Sequence, residues 1–356
     1  FPYSLIFDIV VEYEDGEVAH FVSDDSMDVY TNDIVFSSIY DGEIQDCTRD
    51  IEYLGKSKFI NTVSTLVPQE GERIIFGERF KPLRMWKAPN GDTLIDFGQN
   101  FTGMVEIHVK GIRGDKISYT IGEVLDSDGN LYRNNYRSAT SFYSFILSGE
   151  EETLRPLFSF LGGRYLKLID LPNYVDESCF EAVLVHSELD KTCWFKCGNE
   201  KINRLYLNTI YGQLGNYLDI PTDCPQRDER LGWTADAQVF SKTGAVHYNV
   251  LKFFKKWLRD MQLDQKENGL LDGVVPGILF NSNNGNPPGD FGLSTGWGDA
   301  CVIIPYEMYL AYGDKTIIEE NLVMAEKWVN YLRSHFSKPY IVELDFSFGD
   351  WLALDK

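Results

Sequence analysis

Apolar and polar residues alternate along the first half of the chain, and after Cys197 the apolar positions recur at helical spacing, so strands are expected first and helices afterwards. Leu5, Ile6, Phe7 and Ile9, Val10, Val11 run to an Asp15-Gly16 pair, and the pattern resumes over Val18–Val22, which predicts a β-hairpin. Alternation over residues 4 to about 81 predicts a β-sandwich or part of one. A second β region, from about residue 83 to about 189, is cut by turns at Asn90-Gly91, 111–114, Asp128-Gly129 and Gly162-Gly163, a spacing that predicts a second sandwich. Beyond it, Asn199 fits an N-cap ahead of the stripe Ile202, Tyr206, Ile210, Leu214 and Tyr217. Val250, Phe253, Phe254, Trp257, Leu258 and Met261 form a stronger one-faced stripe. A glycine- and asparagine-rich stretch from Asn281 leads to a helix near 299–311. Asp314 then caps a last helix with Ile317, Ile318, Leu322, Ala325, Trp328, Val329 and Leu332 on one face, making four helices by this count.

One stretch fits neither period. Residues 223–238, DCPQRDERLGWTADAQ, pack Asp223, Arg227, Asp228, Glu229, Arg230, Asp236 and Trp233 into a short run. Alternating charges usually form a solvated helix face laced with weak ion pairs. Pro221, Pro225 and Gly232 argue against that helix. Thr234 fits an N-cap for a helix starting at Ala235, which puts the charges on the loop leading into it. Carboxylates beside a helix N-terminus and beside arginines acquire unequal proton affinities, the condition for acid and base work by like residues. A pyranose presents hydroxyls around its rim and C–H bonds on its faces, so charged partners beside an aromatic plate suit a sugar.

The run resembles the signature of bacterial α-L-rhamnosidases, inverting glycoside hydrolases with an (α/α)6 six-hairpin barrel. DFGQNFTG from Asp96, GEVLDSDGNLY from Gly122 and YDGEIQD from Tyr40 resemble other parts of the same family, so the likeness covers nearly the whole chain. The family's usual glycine is Ala235 here. The resemblance implies a multidomain β plus α protein: a β-sandwich over 1–82, a concanavalin-like β-sandwich over 83–192, and the first part of the barrel over 193–356. It implies that Glu229 is the general acid and that Asp223, Arg227 and Asp236 hold the rhamnose hydroxyls, with Trp233 as an aromatic wall. Trp297 and Trp351 by themselves read as core residues; the resemblance places both near the sugar. It also implies a general base in a later hairpin beyond Lys356, so this chain alone is expected not to hydrolyse rhamnosides. The expected substrate is a rhamnose-containing glycoside or polysaccharide, with no cofactor. The alternatives are a non-catalytic carbohydrate-binding or structural fragment and a six-hairpin glycosidase of different sugar preference. An intact Glu229 motif, which a binding module does not need, favours the hydrolase.

A formal net charge of −21 repels nucleic-acid phosphates and anionic lipid, and leaves a neutral sugar unaffected. At 356 residues, 44% of them hydrophobic, the chain is long enough for two or three domains with sizeable cores. Its six cysteines are too sparse for a disulfide scaffold and are expected to be free thiols. Cys193 and Cys197 lie in an alternating segment with no second pair, so no metal is expected there. The DSDGN segment at 126–130 is too short for a calcium loop and predicts a hairpin turn. No apolar run is long enough for a membrane span, and the start lacks the basic head of a signal peptide. The chain begins without methionine and reads as an excised piece, whose uncovered helix flanks leave oligomerisation open.

Overall fold

The computed structural model describes residues 4–60, 67–277, 295–343 and 348–351. A β-rich N-terminal region is followed by a helical hairpin region, in the order that the change of period predicts. The stretch beginning at Asn281 lies outside the described residues up to 294.

The main body of the β region is one ten-stranded sheet. Its order is Ile34–Ser38, Gly42–Asp46, Phe142–Ile146, Lys116–Gly122, Leu161–Asp170, Thr93–Lys110, Phe180–Ser187 and Ile74–Phe80, with Arg84–Lys87 and Glu151–Leu154 also pairing to Thr93–Lys110. Pairing is antiparallel except where Gly42–Asp46 runs parallel to Phe142–Ile146. The long strand Thr93–Lys110 changes partners along its length, meeting Leu161–Asp170 at one end and Phe180–Ser187 further on. Gly103 sits at that crossover, where a Cβ would lie 1.9 Å from the Val183 carbonyl oxygen. Ile95, Val105, Ile107, Tyr119, Tyr143 and Phe180 are buried in its core, with Tyr119 and Tyr143 stacked at 5.3 Å.

The sheet runs across the boundary expected at residue 82. Strands 34–38, 42–46 and 74–80 hydrogen-bond into the sheet of the second region. The remaining N-terminal pieces are two-stranded: the predicted hairpin of Asp8–Glu12 and Val18–Val22, and Asp28–Tyr30 with Tyr53–Lys56. Both leave their apolar side chains exposed, and Ala88 is the first fully buried apolar residue among those described. A separate sandwich over 1–82 therefore has no core of its own among the described residues. The DSDGN segment forms the predicted turn, with Asp126 accepting the amides of Asp128 and Asn130.

Five α-helices are described: α1 Glu200–Asn216, α2 Thr234–His247, α3 Leu251–Asp264, α4 Ala300–Tyr312 and α5 Thr316–Ser334. Asn199 caps α1 through the Lys201 amide, as predicted, and Asp314 accepts from the Thr316 amide at the start of α5. Thr234 does not cap α2. Its hydroxyl donates to the Gly273 carbonyl, and the helix begins at Thr234 itself. The helix α1 lies on the sheet, approaching so closely that a Cβ on Gly215 would sit 2.5 Å from Thr102 Oγ1. The other helices pack as α2 on α4, α4 on α5 and α3 on both α4 and α5, around fully buried Trp257 and Trp328. No described helix is long and apolar enough to cross a membrane.

Candidate functional site

The charged run folds as a closed loop between α1 and α2, and Asp223 closes it. The Asp223 amide donates to the Leu231 carbonyl at 2.9 Å, and the Leu231 amide donates back to Asp223 Oδ1 at 2.9 Å. Arg230 fills the loop from inside. It is buried, at φ 52°, and its guanidinium donates to the carbonyls of Ile39, Phe160, Gln226 and Arg227 at 2.7–3.2 Å. The loop is thus pinned to the sheet by a buried cation that makes four hydrogen bonds to backbone carbonyls, the arrangement that makes burying a guanidinium tolerable.

Pinning the loop brings the remaining charges together. Glu229 Oε2 accepts from Arg227 Nε at 2.9 Å and is ion-paired with Arg227 Nη2 at 2.8 Å and Arg137 Nη2 at 3.0 Å, while Oε1 accepts the Trp233 indole N–H at 2.8 Å. The Tyr40 hydroxyl donates to the Glu229 carbonyl oxygen at 2.7 Å. Arg227 also reaches Asp223 Oδ2 at 3.2 Å. Burial pushes the Asp223 carboxyl above its usual range against the Leu231 amide, which favours the ionised form. Asp228 takes other partners: it accepts from the Ser138 amide and hydroxyl, that hydroxyl being the first cause holding its pKa down, and lies 3.7 Å from Arg137.

A cavity of about 530 Å³ opens beside the loop, lined by α1, Asp223, the first turns of α2 with Asp236, and Trp297 and Trp351. Asp236 lies on this wall, where desolvation raises its pKa, with the Asp223 carboxylate the next cause. Trp297 is nearly buried at 8% exposure, whereas Trp351 is 61% exposed at the rim. Phe348 joins the three tryptophans, with ring centres 5.9 Å from Trp233, 4.7 Å from Trp297 and 5.5 Å from Trp351. A second, more polar cavity of about 540 Å³ lies on the other side of Asp223, lined by Gln99, Asn100, Glu123, Arg204, Gln226 and Arg227 among others.

Of the residues singled out in the sequence, the structure brings Asp223, Arg227, Glu229 and Trp233 into one bonded cluster, and sets Asp223, Asp236, Trp297 and Trp351 around the first cavity. Glu229, Arg227 and Trp233 are not among that cavity's lining residues; Trp233 connects to it through Phe348. Sequence reasoning missed Arg137, Tyr40 and Phe348. Tyr40 lies in the YDGEIQD segment and Phe348 beside Trp351, so both had a local signal, whereas nothing around Arg137 marks it.

Two groups have metal-ligand spacing among the described residues, Glu106 with His108 and Glu181, and Asp223 with Cys224 and Glu229. Arg79 and Arg155 already occupy Glu106, and Arg79 and Lys81 occupy Glu181. In the second group Arg227 bridges both carboxylates and burial pushes the Cys224 thiol up to about 12, so it offers no thiolate. Guanidinium and ammonium groups take the places a cation would fill. The six cysteines are unbridged.

Comparison with known proteins places the chain among relatives of one kind. The family model described as the bacterial alpha-L-rhamnosidase 6 hairpin glycosidase domain matches residues 190–356, and that of the bacterial alpha-L-rhamnosidase concanavalin-like domain matches 86–186. An alpha-L-rhamnosidase of Formosa agariphila is 34% identical over 363 residues, covering 96% of this chain and 37% of that protein. One of Streptomyces avermitilis is 32% identical, covering 98% and 34%. The chain spans between about a third and two fifths of the length of the curated relatives it matches, 34–39%. Among solved structures, Streptomyces avermitilis alpha-L-rhamnosidase complexed with L-rhamnose superposes with a TM-score of 0.88 at 30% identity, over 98% of this chain and 34% of the other. The Aspergillus terreus alpha-L-rhamnosidase does so with a TM-score of 0.81 at 33% identity, over 91% and 38%.

Proposed function

Because the chain belongs to the bacterial α-L-rhamnosidase family, we propose that it contributes to a hydrolase releasing terminal α-L-rhamnose from a glycoside or polysaccharide, by inversion, with Glu229 as general acid. The observation that carries this reading is the set of donors converging on Glu229. Arg227 and Arg137 occupy Oε2 with three contacts, while Oε1 meets only the Trp233 indole. A proton on this group therefore belongs on Oε1, at the site the indole leaves open, from which the O–H faces the glycosidic oxygen. Its transfer lets the C–O bond break with the electron pair leaving on a neutral hydroxyl. Asp223, Arg227 and Asp236 bind the sugar hydroxyls, and the aromatic group of Trp233, Trp297 and Trp351 covers its apolar face. The solved relative complexed with L-rhamnose supports this choice of sugar.

Inversion also needs a carboxylate about 6.5–9.5 Å from the acid to deprotonate water. Asp223 does not fill that role: its nearest oxygen lies within 4.8 Å of Glu229, and its oxygens are engaged by Leu231 and Arg227. On this reading Asp223 is not the general base.

The test is Glu229→Gln in the protein that carries this chain. Turnover of rhamnosides with poor leaving groups is expected to fall by roughly 100- to 10,000-fold, the usual worth of general acid help, while calorimetry shows L-rhamnose still bound. Wild-type turnover on such a substrate would remove Glu229 from the acid role.

A further inference from the structure

The structure assigns a further positioning residue to this reaction, Arg137, which the β-rich region lends to the acid; this rests on Glu229 acting as proposed. Arg137 comes from the turn that follows the short 3-10 segment Asn134–Tyr136, far from the loop in sequence. An ion pair at the surface is usually a weak and mobile contact. Three observations set this one apart.

The turn is fixed from both sides. Tyr136 is buried and donates to the Gly162 carbonyl at 2.6 Å, and Arg133 donates to the carbonyls of Ala139 and Thr140. Of the five described non-glycine residues at positive φ, Arg137, Ser141 and Arg230 belong to the two segments that meet here, so unusual backbone is concentrated at this junction. The contact is also part of a clasp. Next to Arg137, Ser138 holds Asp228, while Tyr40 holds the Glu229 carbonyl oxygen, so the acid is gripped through its main chain, its neighbour and its side chain by one region. Finally, Arg137 duplicates a charge that is already present. Arg227 alone neutralises Glu229 with two contacts to Oε2, and the Glu229 side chain is only 16% exposed. A second guanidinium on the same oxygen, half-exposed and also 3.7 Å from Asp228, adds orientation: it opposes rotation of the carboxyl plane about the Cγ–Cδ bond and keeps Oε1 aimed away from both arginines. Positioning of this kind governs proton transfer, since a misplacement near 1 Å can cost roughly 100-fold.

The experiment uses the whole protein that carries this chain and a series of aryl α-L-rhamnosides graded by leaving-group acidity. Arg137→Asn removes the guanidinium but keeps a short polar side chain, and Arg137→Lys keeps the charge without the planar fork. On the poorest leaving group, Arg137→Asn is expected to lower kcat by roughly 10- to 100-fold with KM little changed, and on the most acidic leaving group, which departs without a proton, to stay near wild type. Arg137→Lys falls between the two. Glu229→Gln, run alongside, shows the same leaving-group pattern more strongly. Equal losses on every leaving group, or wild-type behaviour on all of them, overturn the assignment of Arg137. If instead Glu229→Gln keeps its rate on the poorest leaving group, it is the acid itself that is misassigned.

Discussion

Asp223 performs two tasks with one side chain, closing its own loop through Leu231 and facing the cavity beside Arg227. Replacing it would mix lost binding with an opened loop. Asp236 is the cleaner probe, because among the described residues its one hydrogen-bond donor is its own backbone amide, and the surrounding protein raises its pKa. A raised carboxyl pKa means that the folded chain holds the proton more tightly than the unfolded chain does. The stability linked to Asp236 is complete below the ordinary value of 3.8 and is lost as pH rises through the folded value. Asp236→Asn should therefore raise the melting temperature at neutral pH, with the gain fading below pH 3.8, while affinity for L-rhamnose falls. Thermal scans across pH check this, and a lowered melting temperature at neutral pH would show that donors stabilise the carboxylate. The same residue scale explains what could be read beforehand. Asp223, Arg227 and Glu229 stood out because charge was concentrated where proline and glycine forbid a plain helix. Arg137 acts only through a contact made in three dimensions, and a lone arginine after NNY carries no trace of it.

At the level of elements, the loop is registered against the segment after α3 with almost no clearance. The Val275 amide donates to the Gly232 carbonyl at 2.9 Å, Trp233 bridges Val274, and a Cβ on Gly232 would lie 2.1 Å from the Val275 carbonyl oxygen. Since the obstacle is backbone, Gly232→Ala must move one segment or the other, and should cost about 1–3 kcal/mol, the range for overpacking. Urea denaturation measures it; a change within about 0.5 kcal/mol, ordinary for a surface substitution, would mean that the two segments slide apart freely. Helices α1, α3 and α5 were legible from their apolar positions, and α4 was expected after the glycine- and asparagine-rich stretch. Helix α2 was not counted by its stripe because it buries Thr234, Ala237, Ser241, Gly244 and His247, small or polar residues that a hydrophobic pattern passes over. Only the change of character at Thr234 announced it, and the hydroxyl taken for a cap turned out to serve Gly273.

For the whole molecule, alternation identifies strands without saying which sheet they join. Ile34–Ser38, Gly42–Asp46 and Ile74–Phe80 were assigned to a domain of their own because they precede residue 83, yet Gly42–Asp46 pairs with Phe142–Ile146 and Ile74–Phe80 with Phe180–Ser187, and Ile34–Ser38 joins the sheet through Gly42–Asp46. Such pairings reflect edge complementarity between segments a hundred residues apart, which no local window contains. The anchoring of Arg230 and Glu229 by this same sheet bears on the order of assembly. Arg230 donates to Ile39 across 191 positions, and Tyr40 reaches Glu229 across 189. Contacts that close such long stretches of chain are entropically late, because nothing rewards closure until both ends are shaped. The candidate acid loop should thus be among the last parts of this chain to mature. In pulse-labelled hydrogen exchange during refolding, the Leu231 amide, bonded to Asp223, should gain protection after the amides that pair Val105 with Ala182. Earlier protection at Leu231 would mean that the loop organises itself without the sheet. If the sheet does lead, a newly made chain passes through a stage in which its framework is complete and its candidate proton donor is still unplaced.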